Sequence, residues 1–187
     1  MSGCTDEQAG ETDMEITAQM VKALREETGA GIMDCKRALQ DAGGNSEAAR
    51  SILKEKGFAS AAKKASRETG QGLVETYIHG GGRIGAMVEV NCETDFVART
   101  DEFKTLARDI AMQIVAMNPR FISIETASEE EIARDGLTAE DVKQASLLSQ
   151  VSIRDSSRTI GQMITETIAK SGENIRVRRF QRYELGR

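Results

Sequence analysis

The side chains that most often perform chemistry in proteins are few and scattered in this sequence of 187 residues. His79 is the only histidine, and the three cysteines, Cys4, Cys35 and Cys92, lie far apart. A zinc site or a Ser-His or Cys-His couple needs further partners at suitable spacing. The acidic run at residues 129–131 is typical of an exposed helix start. We therefore predict a protein without catalytic residues, bound metal or cofactor, which acts by docking onto a partner.

Residues 80–85 (GGGRIG) satisfy the glycine pattern of dinucleotide-binding loops. That pattern binds a pyrophosphate only where a helix begins directly after the glycines. Here alternating and β-branched residues follow, and this pattern favours a second strand. We interpret the glycines as the turn of a β-hairpin.

The end of the chain combines basic and aromatic side chains. Against a single carboxylate, Glu184, it carries Arg176, Arg178, Arg179, Phe180, Arg182, Tyr183 and Arg187. Arginines interleaved with aromatic rings can bind single-stranded RNA by charge and stacking. Alternation along an exposed strand explains the same residues, and the net charge of -5 argues against a surface that binds nucleic acid throughout. We expect no direct nucleic-acid partner, with an RNA-binding accessory protein as an open alternative.

The composition is that of a globular protein, with 39% hydrophobic and 29% charged residues. No apolar run reaches the roughly 20 residues of a membrane-spanning helix. Residues 1–13 are acidic and lack the basic residues of a targeting peptide. The widely spaced cysteines fit a reducing compartment. We predict a cytoplasmic protein that does not enter the membrane and whose residues 1–13 form a disordered extension.

Helical periodicity begins at Ile16 and continues through three short segments that end in glycines. Thr17 is the expected N-cap of the first helix, and Gly29 and Gly31 are expected to end it. Asp34 is the expected cap of the second helix, and Gly57 the end of the third. Residues 14–57 are too short to bury much surface, and such a unit is more often a docking module than a catalytic domain.

Residues 58–71 are predicted to be a helical or mobile linker, and residues 72–187 an α+β core domain. The period changes to two around residues 73–90, which indicates a β-hairpin whose buried face we expect to include Val74 and Ile78. A long amphipathic helix at residues 101–117, a second near residues 160–171 and a last strand follow. A short strand is also predicted at residues 121–124. The predicted core domain therefore has a small, mainly antiparallel sheet packed by helices.

Residues 91–99 (NCETDFVAR) place large apolar side chains in a connection between a strand and a helix. Turning the chain requires no such side chains. Phe96 either folds back as a plug over the core or is offered to a partner as an apolar wedge of the kind that dominates interfaces.

Three segments carry a resemblance: residues 21–36 (VKALREETGAGIMDCK), 94–97 (TDFV) and 172–175 (GENI). In this order they resemble the translation elongation factor Ts family, and the similarity extends from about residue 14 to residue 186. The resemblance implies that the N-terminal helices form a ubiquitin-associated-like module. It also implies that the chain is the compact form of the family, without a second core subdomain.

The family resemblance implies a guanine-nucleotide exchange factor that binds elongation factor Tu and expels its GDP. Thr94, Asp95, Phe96 and Val97 would disturb the magnesium site of that GTPase, with Phe96 as the wedge and Asp95 as a polar contact. The helical module would contact the nucleotide-binding domain through Arg25, Ile32 and Met33.

The compact form is expected to be a homodimer through its core domain, because three strands cannot hide both faces of a sheet alone. Residues 147–152 differ from the usual compact form, so no contact is assigned to them. A protein-interaction adaptor that uses the helical module remains a second alternative.

Overall fold

The computed structural model describes residues 16–186, which form two compact units with the boundary between Lys56 and Gly57. The helices are α1 (Ala18–Thr28), α2 (Ile32–Asp41), α3 (Ser46–Lys64), α4 (Asp95–Ala98), α5 (Asp101–Met117), α6 (Glu129–Asp135), α7 (Ala139–Ala145) and α8 (Ile160–Ser171). The strands are β1 (Gln71–His79), β2 (Ile84–Cys92) and β3 (Ile175–Glu184). This architecture confirms the predicted α+β class. Over the described residues, no helix is both long and apolar enough to cross a membrane. The predicted extension at residues 1–13 lies outside the described residues.

The first unit is a small helical bundle around a core of six side chains. Thr17 caps α1 by accepting a hydrogen bond from the Met20 amide at 3.2 Å, and Gly29 ends the helix in the left-handed conformation at φ 68°. Both features were predicted. The buried residues are Val21, Leu24, Cys35, Ala38, Leu39 and Ala49.

Two predictions for α2 were wrong. Gly31 is extended, at φ -60° and ψ 146°, and is the N-cap of α2 instead of part of the stop of α1. Asp34 lies within the first turn and does not cap the helix. A carboxylate in this turn still stabilises the helix through its dipole, which explains why the residue resembled a start signal.

Helix α3 also differs from the prediction, because Gly57 does not end it. The helix continues to Lys64 through a segment rich in alanine and lysine, both strong helix formers. One glycine inside a helix costs only about 0.5–1 kcal/mol relative to alanine. The first half of the predicted linker is therefore helical.

The second unit is built on a three-stranded antiparallel sheet in the order β1-β2-β3. The glycines at residues 80–82 form the tight turn between β1 and β2, each with positive φ, as the hairpin interpretation predicted. Helix α5 packs across β1 and β2, and α8 packs against α5 and β3. The largest fully buried side chains of this unit are Val88, Val90, Phe103, Ile110, Gln113, Ile114, Leu147 and Ile160.

The buried face of β1 is the opposite of the one predicted. Leu73 and Tyr77 pack against the core, whereas Val74 and Ile78 are 58% and 68% exposed. Both faces of β1 carry apolar side chains, so the alternation did not determine which face is covered. The register pairs Leu73 with Val90, a buried residue of β2, and this pairing determines the orientation.

The connection from α5 to α8 contains short helices and few strand contacts. Phe121 forms only an isolated bridge with Ser146, and a short helical turn begins at Ile124. The predicted short strand at residues 121–124 is therefore not formed. The buried Gln113 side chain bonds Gln150 Oε1, the Val151 carbonyl and the Ile153 amide at 2.9–3.2 Å. These bonds attach the segment after residue 147 to α5.

Candidate functional site

The segment at residues 94–97, here called the wedge segment, begins the four-residue helix α4. The Thr94 hydroxyl accepts a hydrogen bond from the Val97 amide at 3.5 Å. Ala98 is buried and Val97 packs partly against the core, whereas Phe96 is 79% exposed. Phe96 is therefore not a plug over the core. The helix directs its aromatic side chain into solvent.

The end of the wedge segment that joins β2 is attached to the connection between α8 and β3. Glu173 accepts hydrogen bonds from the Thr94 amide at 2.9 Å and from the Thr94 hydroxyl at 2.6 Å. The residues next to these two form a similar bond in the opposite direction: the Asn174 amide donates to Glu93 Oε1 at 2.6 Å. This bond is the main reason that the pKa of Glu93 lies below its ordinary value.

Asp95 and Cys92 complete the surroundings of the wedge segment. The Asp95 carboxylate forms an ion pair with Arg99 at 2.8 Å, one turn later. Cys92 is fully buried, and its thiol donates to the Thr94 carbonyl at 3.1 Å. Burial, and next the negative charge of Glu173, raise the pKa of this thiol from 9.0 to about 11. The thiol is protonated at neutral pH and is a poor nucleophile.

The predicted contacts of the first unit lie at the start of α2 and the end of α1. Ile32 and Met33, the first two residues of α2, are 54% and 60% exposed. Arg25 lies in the last turn of α1. Arg25 and Ile32 line one groove of ≈ 390 Å³, whose other lining residues are Ile16, Ala18, Val21, Lys22 and Lys36. Met33 is not among these lining residues.

The arginines of β3 are largely paired with carboxylates of the same unit. Arg178 and Arg179 bind Glu89 at 3.4 and 2.7 Å. The hydrogen bond from Arg179 is the main cause that lowers the pKa of Glu89. Arg182 binds Glu184 at 3.0 Å. These pairs reduce the positive charge that RNA binding would require.

No metal or nucleophile centre is apparent in the part of the chain that the structure describes. Among residues 16–186, no three His, Cys, Asp or Glu side chains form a group that could hold a metal ion. His79 is exposed, and its Nδ1 lies 3.2 Å from the Tyr77 hydroxyl. What the described residues offer is exposed apolar side chains at the starts of α2 and α4, and these suit binding.

Residue-level reasoning overlooked Glu173, Lys22 and Lys36. Glu173 follows Gly172, which ends α8, and no local pattern indicates that its carboxylate reaches Thr94. Lys22 and Lys36 belong to polar helix faces that are usually only solvated. Their convergence on one groove depends on the packing of α1 against α2.

Comparison with known proteins gives a consistent result over most of the chain. The family model described as "Elongation factor TS" matches residues 15–144. Proteins named "Elongation factor Ts" are similar over nearly the whole length. That of Desulforamulus reducens is 51% identical, with 92% of this chain and 90% of the relative covered. Those of Carboxydothermus hydrogenoformans and Caldanaerobacter subterraneus are each 50% identical over 91% of this chain, covering 89% and 97% of the relatives.

Proposed function

The chain belongs to the elongation factor Ts family of translation elongation factors, and we propose that it is a guanine-nucleotide exchange factor for elongation factor Tu. The observation that carries this proposal is the wedge segment. A phenylalanine that is 79% exposed projects from a capped helix start in the sequence context that resembles the family. The cytoplasm, where translation factors act, is the proposed compartment.

In the proposed mechanism the wedge segment presses on the GTPase near its magnesium and phosphate site. Phe96 enters an apolar position there. Asp95, which is paired with Arg99 in the free protein, makes a polar contact with the partner. Thr94 and Val97 fix the backbone that carries both side chains. Displacing a magnesium ion that bridges phosphate oxygens weakens the hold on the nucleotide.

Exchange of this kind requires no covalent step. A protein that binds the nucleotide-free GTPase more tightly than the GDP-bound form weakens GDP binding by the same factor. A tenfold effect corresponds to about 1.4 kcal/mol. One buried aromatic side chain at an interface commonly contributes about 2–4 kcal/mol. A few apolar contacts therefore suffice energetically.

The helical module is proposed to dock on the nucleotide-binding domain of the GTPase through Arg25, Ile32 and Met33. Ile32 and Met33 at the start of α2 provide apolar surface that would be buried when the partner binds. The groove beside it combines apolar lining with Lys22, Arg25 and Lys36. Such a surface fits an amphipathic helix that carries carboxylates next to its apolar face.

The proposal includes a homodimer formed through the outer face of the sheet. Val74, Ile78, Met87 and Tyr183 are between 52% and 70% exposed on this face. Ile78 and Tyr183 lie in one cross-strand row on either side of Gly85, which places no side chain between them. A second copy related by a two-fold axis covers such a face with an identical one.

The function is tested with elongation factor Tu loaded with fluorescent GDP and chased with excess unlabelled GDP. Substoichiometric amounts of this protein should accelerate the loss of fluorescence, since each molecule acts repeatedly. An unchanged release rate at micromolar protein and millimolar magnesium would refute the proposal. Faster release only at stoichiometric amounts would refute the turnover that exchange requires.

A further inference from the structure

Helix α4 lacks the local residue that closes a helix start elsewhere in this protein. In α6, α7 and α8 the third helical residue is Glu131, Asp141 or Gln162, and its side chain accepts a hydrogen bond from the amide of the capping residue. This reciprocal arrangement satisfies two amides at once. In α4 the third residue is Val97, which has no acceptor.

Glu173 supplies the missing acceptor from a distant part of the sequence. Its Oε2 accepts from the Thr94 amide at 2.9 Å, although the two residues are 79 positions apart. Its Oε1 accepts from the Thr94 hydroxyl at 2.6 Å. The hydroxyl oxygen in turn accepts from the Val97 amide. The start of α4 is thus closed by the same reciprocal arrangement, in which a residue distant in sequence supplies the acceptor.

The backbone around Glu173 is itself firmly held. Asn174 is buried, its amide donates to Glu93, and its side chain donates to the Arg67 carbonyl at 2.9 Å. The Glu173 amide donates to Ser171 Oγ at 3.3 Å. Because the residues on both sides of Glu173 are fixed, its carboxylate holds Thr94 in a defined position relative to the core.

The position of Phe96 depends on this attachment. Four residues form too little helix to be stable without tertiary contacts. Phe96 has little packing of its own, since 79% of it is exposed. Its direction is therefore determined by the Thr94 end, which Glu173 holds, and by the Ala98 end, which is buried.

We infer that Glu173 is a positioning residue for nucleotide exchange, which presents the Phe96 wedge by closing the start of α4. The inference rests on the proposed function and adds a residue that does not touch the GTPase. Its effect on exchange should pass through the wedge segment, and mainly through Phe96.

The first test uses the free protein and no partner. Hydrogen–deuterium exchange of the amides at residues 94–98 should be faster in Glu173→Ala than in wild type, by about tenfold or more. Glu173→Gln should remain close to wild type, because the amide oxygen still accepts from the Thr94 amide. The control is Glu166→Ala, which removes a similar side chain that binds Arg158 at 2.6 Å. Unchanged protection in Glu173→Ala would overturn the inference whatever the function.

The second test measures GDP release from elongation factor Tu by wild type, Glu173→Ala, Phe96→Ala and the double variant. At saturating protein, Glu173→Ala should release GDP about tenfold more slowly than wild type. The concentration for half-maximal effect should change less than threefold, roughly, since docking by the helical module is intact. Glu173→Gln should recover most of the rate. In the Phe96→Ala background, adding Glu173→Ala should have less than about a twofold further effect.

The outcomes separate the inference from the function on which it rests. An inactive wild-type protein refutes the proposed function. An active wild type with a fully active Glu173→Ala refutes the positioning role alone. Equal effects of Glu173→Ala with and without Phe96 would assign Glu173 to general stability and would also refute it. So would a loss of rate in Glu166→Ala that matches the loss in Glu173→Ala.

Discussion

At the scale of single residues, Phe96 is unusual because most of a large aromatic ring faces water. Isolated exposed apolar side chains are common, but a phenylalanine at the start of a well-capped helix lies where polar residues would serve the fold equally well. Removing its side chain should therefore affect binding more than folding.

We expect Phe96→Ala to leave the melting temperature within a few degrees of wild type. The rate of GDP release should fall tenfold or more, which corresponds to about 1.4 kcal/mol. Phe58→Ala is the matched control, since Phe58 is also exposed, at 40%, and lies in α3. A large drop in melting temperature that parallels the loss of rate would instead identify Phe96 as part of the core.

The stabilising contribution of the buried Cys92 thiol should be lost at alkaline pH. Its folded pKa is raised from 9.0 to about 11, so its contribution to stability is complete below pH 9 and is lost as the pH rises towards 11. The stability advantage of wild type over Cys92→Ala should therefore shrink over this range. Urea unfolding of both proteins at pH 8 and pH 10.5 measures the change, and a constant advantage would contradict it.

Some residue-level features follow from the sequence and some do not. Thr17 and Gly29 were recognisable because caps depend on local geometry. Phe96 was recognisable as an unexpected apolar residue, although its exposure was not. The contact between Glu173 and Thr94 was not predictable, because it depends on where two distant connections meet in space.

At the scale of elements, the sequence predicted the type of each long helix and strand better than its orientation. The periodicity of α5 has a single apolar stripe, and the predicted span matches the observed helix. Strand β1 has apolar residues on both faces, and only its pairing with β2 distinguishes them. Helix α3 passed beyond Gly57 because helix propensity on both sides outweighs one glycine.

Helix α8 packs so closely against Leu148 that the position of Gly161 should not accommodate a side chain. A Cβ added at Gly161 would lie 2.9 Å from the Leu148 carbonyl oxygen, a backbone atom that cannot easily move. We expect Gly161→Ala to destabilise the protein by about 1–3 kcal/mol in urea unfolding. Gly57→Ala is the matched control, since its Cβ would meet only Ala169 at an ordinary 3.5 Å. That variant should gain about 0.5–1 kcal/mol. An equal gain from both variants would contradict the close packing.

The start of α2 should determine affinity and not the maximal rate of exchange. Replacing Ile32 and Met33 together by alanine removes exposed apolar area without touching the six-residue core of the first unit. We expect the concentration for half-maximal GDP release to rise about tenfold, with the rate at saturation nearly unchanged. Met117→Ala, which is 51% exposed in α5, is the control. A fall in the saturating rate with unchanged half-maximal concentration would contradict this division of roles.

At the scale of the whole molecule, the outer face of the sheet should determine the oligomeric state. Light scattering after gel filtration should give about 41 kDa, twice the 20.4 kDa of one chain. Ile78→Lys should give the mass of a single chain, because it places like charges across a two-fold axis. Ile124→Lys, at an exposed isoleucine outside the sheet, should stay dimeric. A wild-type mass of 20.4 kDa at tens of micromolar would refute the dimer.

The attachment of Thr94 to Glu173 also has a consequence for the order of events during synthesis. The ribosome adds about 5–20 residues per second, so roughly 4–16 s pass between the two residues. During this interval the nascent chain already contains Phe96 but not the acceptor that closes the start of α4. A protein interrupted before residue 173 therefore carries the exposed aromatic ring without its defined presentation. Competence for exchange would then arise late, with the last connection of the fold, well after the helical module that is proposed to dock on the GTPase has been synthesised.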